Sequence, residues 1–223
     1  MTTASRELER SLASDWGIVA GMDEVGRGAL AGPVAVGVAL IGVHAGPVPE
    51  GLTDSKALTP RRRDALVEPI QSWVQDCAVG YASPQEIDQW GIIVALRLAG
   101  RRALAEVASR GLVPGGVLLD GSHDWLSAPD DLFGGIDEPE DPFGVELPVH
   151  MQVKADLSCA VVAAASVLAK VARDRLMTDA DDPGYGWASN KGYGSAAHAR
   201  AIAELGVCDF HRRSWKMPTK PTK

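Results

Sequence analysis

The sequence predicts an α/β fold: five short strands interleaved with helices, followed by a small C-terminal helical extension. Two observations carry that prediction. Apolar runs of strand length recur at Gly17–Ala20, Pro33–Ile41, Cys77–Tyr81, Val117–Gly121 and Val149–Val153; they are too short, or too interrupted by glycine, to be helices. Segments with helix-start signals or helical periodicity lie among them, the clearest being Ser158–Met177, SCAVVAAASVLAKVARDRLM. A third observation concerns chemistry. Acids stand at the ends of the first, fourth and fifth runs, as Asp23-Glu24, Asp120 and Asp156.

The glycine turn Gly26-Arg27-Gly28 joins the first run and its acid pair to the second run. Burying two carboxylates without compensation is costly. A cation is therefore expected there, a metal ion by default, with Arg27 and bare backbone amides facing a phosphate. Gly26, Gly28 and Ala31 also fit a dinucleotide-binding G-x-G-x-x-A loop. Such a loop has to open a helix, whereas Pro33 and the valines after it read as a strand. Two acids beside it would also repel a pyrophosphate.

Further along, Thr59 and Pro60 read as the cap and first residue of a helix running toward Val74. Lys56 falls in the loop before it, where a phosphate contact and a solvated lysine are both open. Ser83 and Glu86 form a capping box for a long helix, bent near Gly91 and Gly100 and ending about Arg110-Gly111. Asp124 reads as a turn residue, and Asp130–Glu146 as a long acidic surface loop. Asp156 falls at the start of the Ser158–Met177 helix, where the helix dipole alone would favour a carboxylate. In the extension, Ser195 caps a helix over Ala196–Leu205. Tyr193 lies between two glycines, either stacking on a sugar or base or packing on its own loop; Lys191 is placed to meet a phosphate. Met217–Lys223 reads as a tail.

With 223 residues, 46% of them hydrophobic, the chain is long enough for one large domain with a small appendage; residues 1–178 and 179–223 divide it. The opening MTTASRELERSLAS is polar, slightly helical and unlike a signal peptide, and no apolar run approaches membrane-spanning length. Cys77, Cys159 and Cys208 are far apart and odd in number, which fits reduced thiols and a cytoplasmic monomer without a zinc site. His44, His123 and His150 read as solvated surface residues. The net charge of −7 argues against tight nonspecific binding to nucleic acid, but Arg212, Arg213, Lys216, Lys220 and Lys223 make the C-terminal end basic. Arg212 and Arg213 either meet the duplex or brace this segment against the main domain.

Several of these segments, in this order, resemble bacterial ribonuclease HII: Asp23-Glu24 with GRG and LAGP, Asp54-Ser55-Lys56, LLDG at Leu118–Gly121, Lys154-Ala155-Asp156, AAASVLAKVARDRLM, SNKGYGS at Ser189–Ser195 and HRRSW at His211–Trp215. The resemblance implies a ribonuclease H-like mixed five-stranded sheet. It implies that Asp23, Glu24, Asp120 and Asp156 are catalytic, metal-binding acids, that Gly26-Arg27-Gly28 recognises the ribonucleotide, and that Tyr193 packs on the sugar at the junction. It also raises Lys56 as a substrate contact. Four carboxylates brought together repel unless divalent cations hold them, and an all-oxygen donor set selects Mg²⁺ or Mn²⁺. Two such ions, about 3.5–4 Å apart, support phosphodiester hydrolysis. The implied substrates are RNA·DNA hybrids and duplex DNA carrying single ribonucleotides, cut to leave 3′-hydroxyl and 5′-phosphate ends. A dinucleotide-dependent oxidoreductase and an inert nucleic-acid binding module are the competing classes. Two features depart from the family pattern: the extra acidic length between Asp120 and Asp156, and Cys208-Asp209-Phe210 before His211.

Overall fold

The computed structural model describes residues 4–128 and 139–218. Strands β1 (Ile18–Val25), β2 (Val34–Gly42), β3 (Asp76–Ala82), β4 (Gly116–Asp120) and β5 (Val149–Gln152) form one sheet in the order β3-β2-β1-β4-β5. The β1/β2 and β2/β3 pairs are antiparallel, and β1/β4 and β4/β5 are parallel, so the sheet is mixed. β1 continues past its apolar run to Val25, which puts Asp23 and Glu24 inside the end of the central strand. The chain after the glycine turn is strand, not helix, which removes the dinucleotide-loop reading.

Helices cover both faces: α5 (Ala160–Asp179) lies on one and α3 (Pro84–Ser109) on the other. Side chains of a strand alternate between faces, and here they divide cleanly. Val19, Ala39, Ile41 and Leu118 pack with α5, whereas Met22, Val36, Val38 and Leu119 pack with α3. The alanine-rich α5 comes unusually close to the sheet. A Cβ on Gly37 would lie 2.3 Å from the Ala165 carbonyl oxygen, so glycine is what permits that approach.

The expected caps are present. Thr59 accepts from Arg62 N at the start of α2 (Pro60–Trp73), Ser83 and Glu86 form the capping box of α3, and Ser195 accepts from His198 N at the start of α7 (Ala196–Leu205). The bend in α3 is at Gly91, with φ of 78°. Gly100 instead stays helical and lets Met22 and Trp125 pack against the helix. Asp124 closes a turn by accepting from Leu126 N and Ser127 N. Of the acidic stretch, 130–138 lies outside the described residues, as do Lys220 and Lys223; Glu146 and Asp141 pair with the buried Arg101 at 2.8 and 3.5 Å. Two short helices, α4 (Ala155–Ser158) and α6 (Trp187–Asn190), precede α5 and α7. Among the described residues, no helix is long and apolar enough to cross a membrane.

The polar N-terminal stretch forms α1 (Glu7–Trp16) and takes a larger part than its composition suggested. Cys159, the cap residue of α5, offers no side-chain cap. Glu9 supplies it from far away in sequence: its Oε1 accepts from Val161 N at 2.6 Å, and a carboxylate at a helix N-terminus is favoured by the dipole. The carboxylate is fully buried, with Arg6 Nε 3.5 Å from Oε2. Burial nevertheless pushes Glu9 up from 4.5 to about 7, against the Val161 amide and the Arg6 charge. A carboxyl raised in the folded state gives its full stability below pH 4.5, and that stability is lost as pH rises through about 7. Glu9→Gln keeps the acceptor and removes the titration. Its stability relative to wild type should therefore climb by on the order of 3 kcal/mol between acid and alkaline conditions. Denaturant titrations across that range measure it, and a constant difference would refute the assignment.

Candidate active site

Asp23 and Asp120 end neighbouring parallel strands, one step beyond the Met22/Leu119 pair. Both share strand parity with Leu118 and Val19, whose side chains face α5, so the two acids project to the α5 side. Asp23 is buried, its carboxylate accepts from Glu24 N at 2.9 Å, and the Ser166 hydroxyl of α5 lies beside it. Ser166 is itself held by Ser55 at 2.9 Å. Asp120 Oδ1 accepts from Ala155 N at 2.7 Å. That bond depends on Lys154, a non-glycine residue in the left-handed region at φ of 58°, which turns the chain sharply out of β5 and presents α4 to Asp120. Asp156 follows in α4, buried, with Lys56 Nζ 3.6 Å from its Oδ2. Glu24 lies next to Asp23 but turns its carboxylate to Arg27, 3.3 Å away.

The electrostatics bind these groups together. Burial, then the charges of Glu24 and Asp120, push Asp23 up to about 7. Burial, then Asp120 and Asp54, raise Asp156. Burial opposes it, but the charges of Asp23, Asp54, Asp156 and Asp120 raise Lys56. As they stand, no three acid, imidazole or thiol groups among the described residues enclose a cation. The donor set is nonetheless all carboxylate. It holds a buried acid destabilised by its like-charged neighbours, with Lys56 drawn toward it. That chemistry fits a hard divalent ion.

Beside the acids, the Gly26–Pro33 loop is built against two buried guanidinium groups. Arg212 donates to the carbonyls of Gly26, Arg27 and Gly32 at 2.7, 2.8 and 3.1 Å. Arg173 of α5 donates to those of Pro33, Ala31 and Lys191 at 2.8, 3.2 and 3.0 Å. In a trans peptide the carbonyl of one residue and the amide of the next point opposite ways. Drawing the Gly26 and Arg27 carbonyls inward therefore turns the Arg27 and Gly28 amides outward. Gly26 has φ of 84°, and a Cβ there would lie 2.0 Å from Arg173 Nε, so the position admits only glycine.

The sequence-expected substrate residues fare differently. The Arg27 head is half exposed and that of Lys56 more so. Tyr193 is exposed, its ring 5.5 Å from the Arg173 guanidinium and 5.8 Å from Lys170 Nζ. Lys191 Nζ folds back onto Thr178 Oγ1 and the Ala188 carbonyl. Arg213 is exposed and pairs with Asp209 at 2.6 Å. Arg212 needs correction. It is fully buried, so of the two roles open to it the position is that of a brace, not of a duplex contact. Arg173 was missed altogether: inside a helical run, an arginine facing the sheet has the same letter as one facing water.

A family model described as Ribonuclease HII matches residues 20–218. The chain belongs to the ribonuclease HII family. It is 45% identical over 212 residues to a ribonuclease HII of Streptomyces avermitilis, covering 93% of this chain and 82% of that one. A relative from Paracoccus denitrificans is 44% identical over 209 residues, covering 93% and 89%. The fold matches that of ribonuclease HII from Archaeoglobus fulgidus, solved in complex with PCNA, with a TM-score of 0.61 and 26% identity over 90% of this chain and 96% of that one. The chain is accordingly a metal-dependent ribonuclease, and ribonuclease HII chemistry is hydrolysis of the RNA strand of RNA·DNA hybrids.

The placement of the two C-terminal arginines has a direct test. Arg212→Met leaves the Arg27 and Gly32 carbonyls without their donor, Gly26 O keeping only Ala29 N, and should cost about 3–5 kcal/mol in a denaturant titration. Arg213→Ala, at the surface, should change stability by less than about 0.5 kcal/mol. Equal effects would contradict the buried position of Arg212.

Proposed function

We propose that this enzyme, besides cleaving the RNA strand of hybrids, incises duplex DNA at single ribonucleotides, and that Asp23, Glu24, Asp120 and Asp156 hold two divalent ions for the reaction. The observation that carries the reading is the adjacency of a buried acid, Asp23, to a loop whose outward amides begin four residues later at Arg27. Mg²⁺ or Mn²⁺, when bound, supplies Lewis acidity and a coordinated water of lowered pKa.

The chain's own groups divide the remaining work. Asp23 and Asp120 fix the cleavage position, because both are tied to strand ends that cannot shift without breaking the sheet. Lys56 and Arg27, each pairing with an acid and exposed at its head, can exchange that acid for a phosphate oxygen. The Arg27 and Gly28 amides come close enough to a sugar to meet a 2′-hydroxyl, the group that marks RNA against DNA. Tyr193 offers its ring to the next sugar, favouring deoxyribose at that position by packing. Cleavage then leaves 3′-hydroxyl and 5′-phosphate ends.

Incubation of the purified protein with a duplex carrying one ribonucleotide, with and without Mg²⁺ or Mn²⁺, tests the reading. Metal-dependent incision at the ribonucleotide is the expected result; cleavage of hybrids alone would remove the single-ribonucleotide activity. Asp120→Asn should lower the rate by more than about 100-fold, the scale on which even supporting groups of metal ligands act. Full activity in that variant would sink the assignment of the acids. Tyr193→Ala should retain metal binding and lose most incision at a single ribonucleotide. An equal loss on every substrate together with lost metal affinity would show that the ring does not read the junction.

A further inference from the structure

Behind Tyr193, two histidines are buried in contact with each other. His198 Nε2 and His211 Nε2 are 3.1 Å apart, and the two residues are 0% and 1% exposed. Their outer nitrogens meet the main chain. His198 Nδ1 is 3.0 Å from the Tyr193 carbonyl oxygen, and Cys208 N donates to His211 Nδ1 at 3.1 Å. Tyr185 and Trp187 wall in His211, with the Tyr185 ring edge-on at 4.6 Å.

Cys208 Sγ also lies 3.2 Å from His211 Nδ1, where a thiol can donate as the amide does, and the three main-chain and ring hydrogen bonds then fix the arrangement of protons. A carbonyl only accepts, so His198 Nδ1 carries a hydrogen; an amide only donates, so His211 Nδ1 is bare. His211, being bare there, has its hydrogen on Nε2 and donates it to His198 Nε2. A positive His198 would set two N–H groups against each other, and a positive His211 would set its Nδ1–H against the Cys208 amide. Both rings are therefore neutral, in opposite tautomers. The bonds run one way, from Cys208 N–H through His211 and His198 to the Tyr193 carbonyl.

The next residue after His211 is Arg212, whose guanidinium holds the Gly26 and Arg27 carbonyls. The same segment is stitched to the loop: Arg212 N donates to Leu30 O and Gly32 N to Phe210 O, at 2.9 and 2.8 Å. Two consecutive side chains thus reach two different parts of the substrate face. We propose that His198 and His211 are positioning residues, a strut of fixed tautomers that, together with Arg212, sets the separation between Tyr193 and the Gly26–Gly28 loop and so the selectivity for a ribonucleotide followed by deoxyribose. This rests on the reading that the loop and Tyr193 contact the two sugars of that junction. An error of about 1 Å between two recognition groups is enough to cost two orders of magnitude in rate, which gives such a strut its leverage.

Two experiments on the full-length protein test the strut. Long-range ¹H–¹⁵N spectra near neutral pH should show His211 as the Nε2–H tautomer and His198 as the Nδ1–H tautomer; a charged ring or the opposite tautomer in either overturns the proposal. The second reads selectivity, as incision at a single ribonucleotide divided by cleavage of a uniform hybrid. That ratio should fall about tenfold in His198→Ala, the effect of roughly one lost hydrogen bond's worth of alignment. His198→Asn can still donate to the Tyr193 carbonyl but cannot reach His211, so it should not restore the ratio. Full restoration would show that only the local bond matters, and an unchanged ratio in both variants, even with lowered rates, would assign the pair to stability alone. Should His198→Ala not fold, His198→Asn and the spectra decide. A wild-type enzyme that incises no single ribonucleotide defeats the functional reading and the role in selectivity, while the spectra separately judge the strut itself.

Discussion

Two buried guanidinium groups with no carboxylate partner among the described residues constrain this structure more than any other feature. Arg173 and Arg212 are both 0% exposed, and a buried cation is tolerated only when its donors are satisfied. Six main-chain carbonyls meet that need, five of them from Gly26–Pro33 and one from Lys191. The loop cannot relax without stranding a charge, so its conformation is fixed by a need that lies beneath it. Burial, then the neighbouring charge of Arg173, pulls Arg212 down to about 9, still well above neutrality. The strain of two like charges side by side is the cost of a rigid loop, and it is borne beneath that loop.

Helix α5 connects that loop to the acids. Ser166, Lys170, Arg173 and Asp174 share its site-facing side at spacings of four, three and one. Ser166 lies beside Asp23, Lys170 and Arg173 flank the Tyr193 ring, and Asp174 meets Lys170 and Arg63. Arg63 in turn donates to the Ser55 and Leu58 carbonyls, fixing the turn that carries Lys56. At about 1.5 Å per residue, Ser166 and Arg173 are roughly 10 Å apart along the axis, so one rigid rod sets the distance from acid cluster to loop. Glycine at position 37 lets the rod approach the sheet, and Glu9 caps its start. The N-terminal helix is thereby part of the catalytic geometry without touching the site.

The strands, the caps of three helices and the acid positions were legible because each rests on a local rule: alternation, a hydroxyl before a helix, a carboxylate ending an apolar run. What stayed hidden depends on burial, which the sequence does not print. Arg212 was open between duplex contact and brace because it lies in a basic segment, and only its burial shows that the side chain points inward. Glu9 looked like one charge among several on a polar helix, and its partner Val161 is more than a hundred residues away. His198 and His211 escaped notice because a histidine pair has no spacing signature. Tyr193, by contrast, was found only through the ordered motifs around it, since an exposed tyrosine between glycines has a bland explanation too.

The inward use of basic residues also bears on the acidic net charge. Arg101, Arg173 and Arg212 are buried, and Arg63 is nearly so, so none offers a free head to phosphate. Arg27 and Lys56 do, and each is paired with an acid of the site. Such pairs have little intrinsic strength at a solvated surface, but they hold the cations where a phosphate would arrive and neutralise the acids until it does. On the proposed function, binding then exchanges an acid–base contact for a phosphate contact instead of adding a new charge to the complex. Affinity built that way gains little from counterion release and much from fit. On the proposed function, which includes action on duplex DNA, that balance serves the enzyme, because the fit of the Gly26–Gly28 loop, and not the charge, decides where it stays.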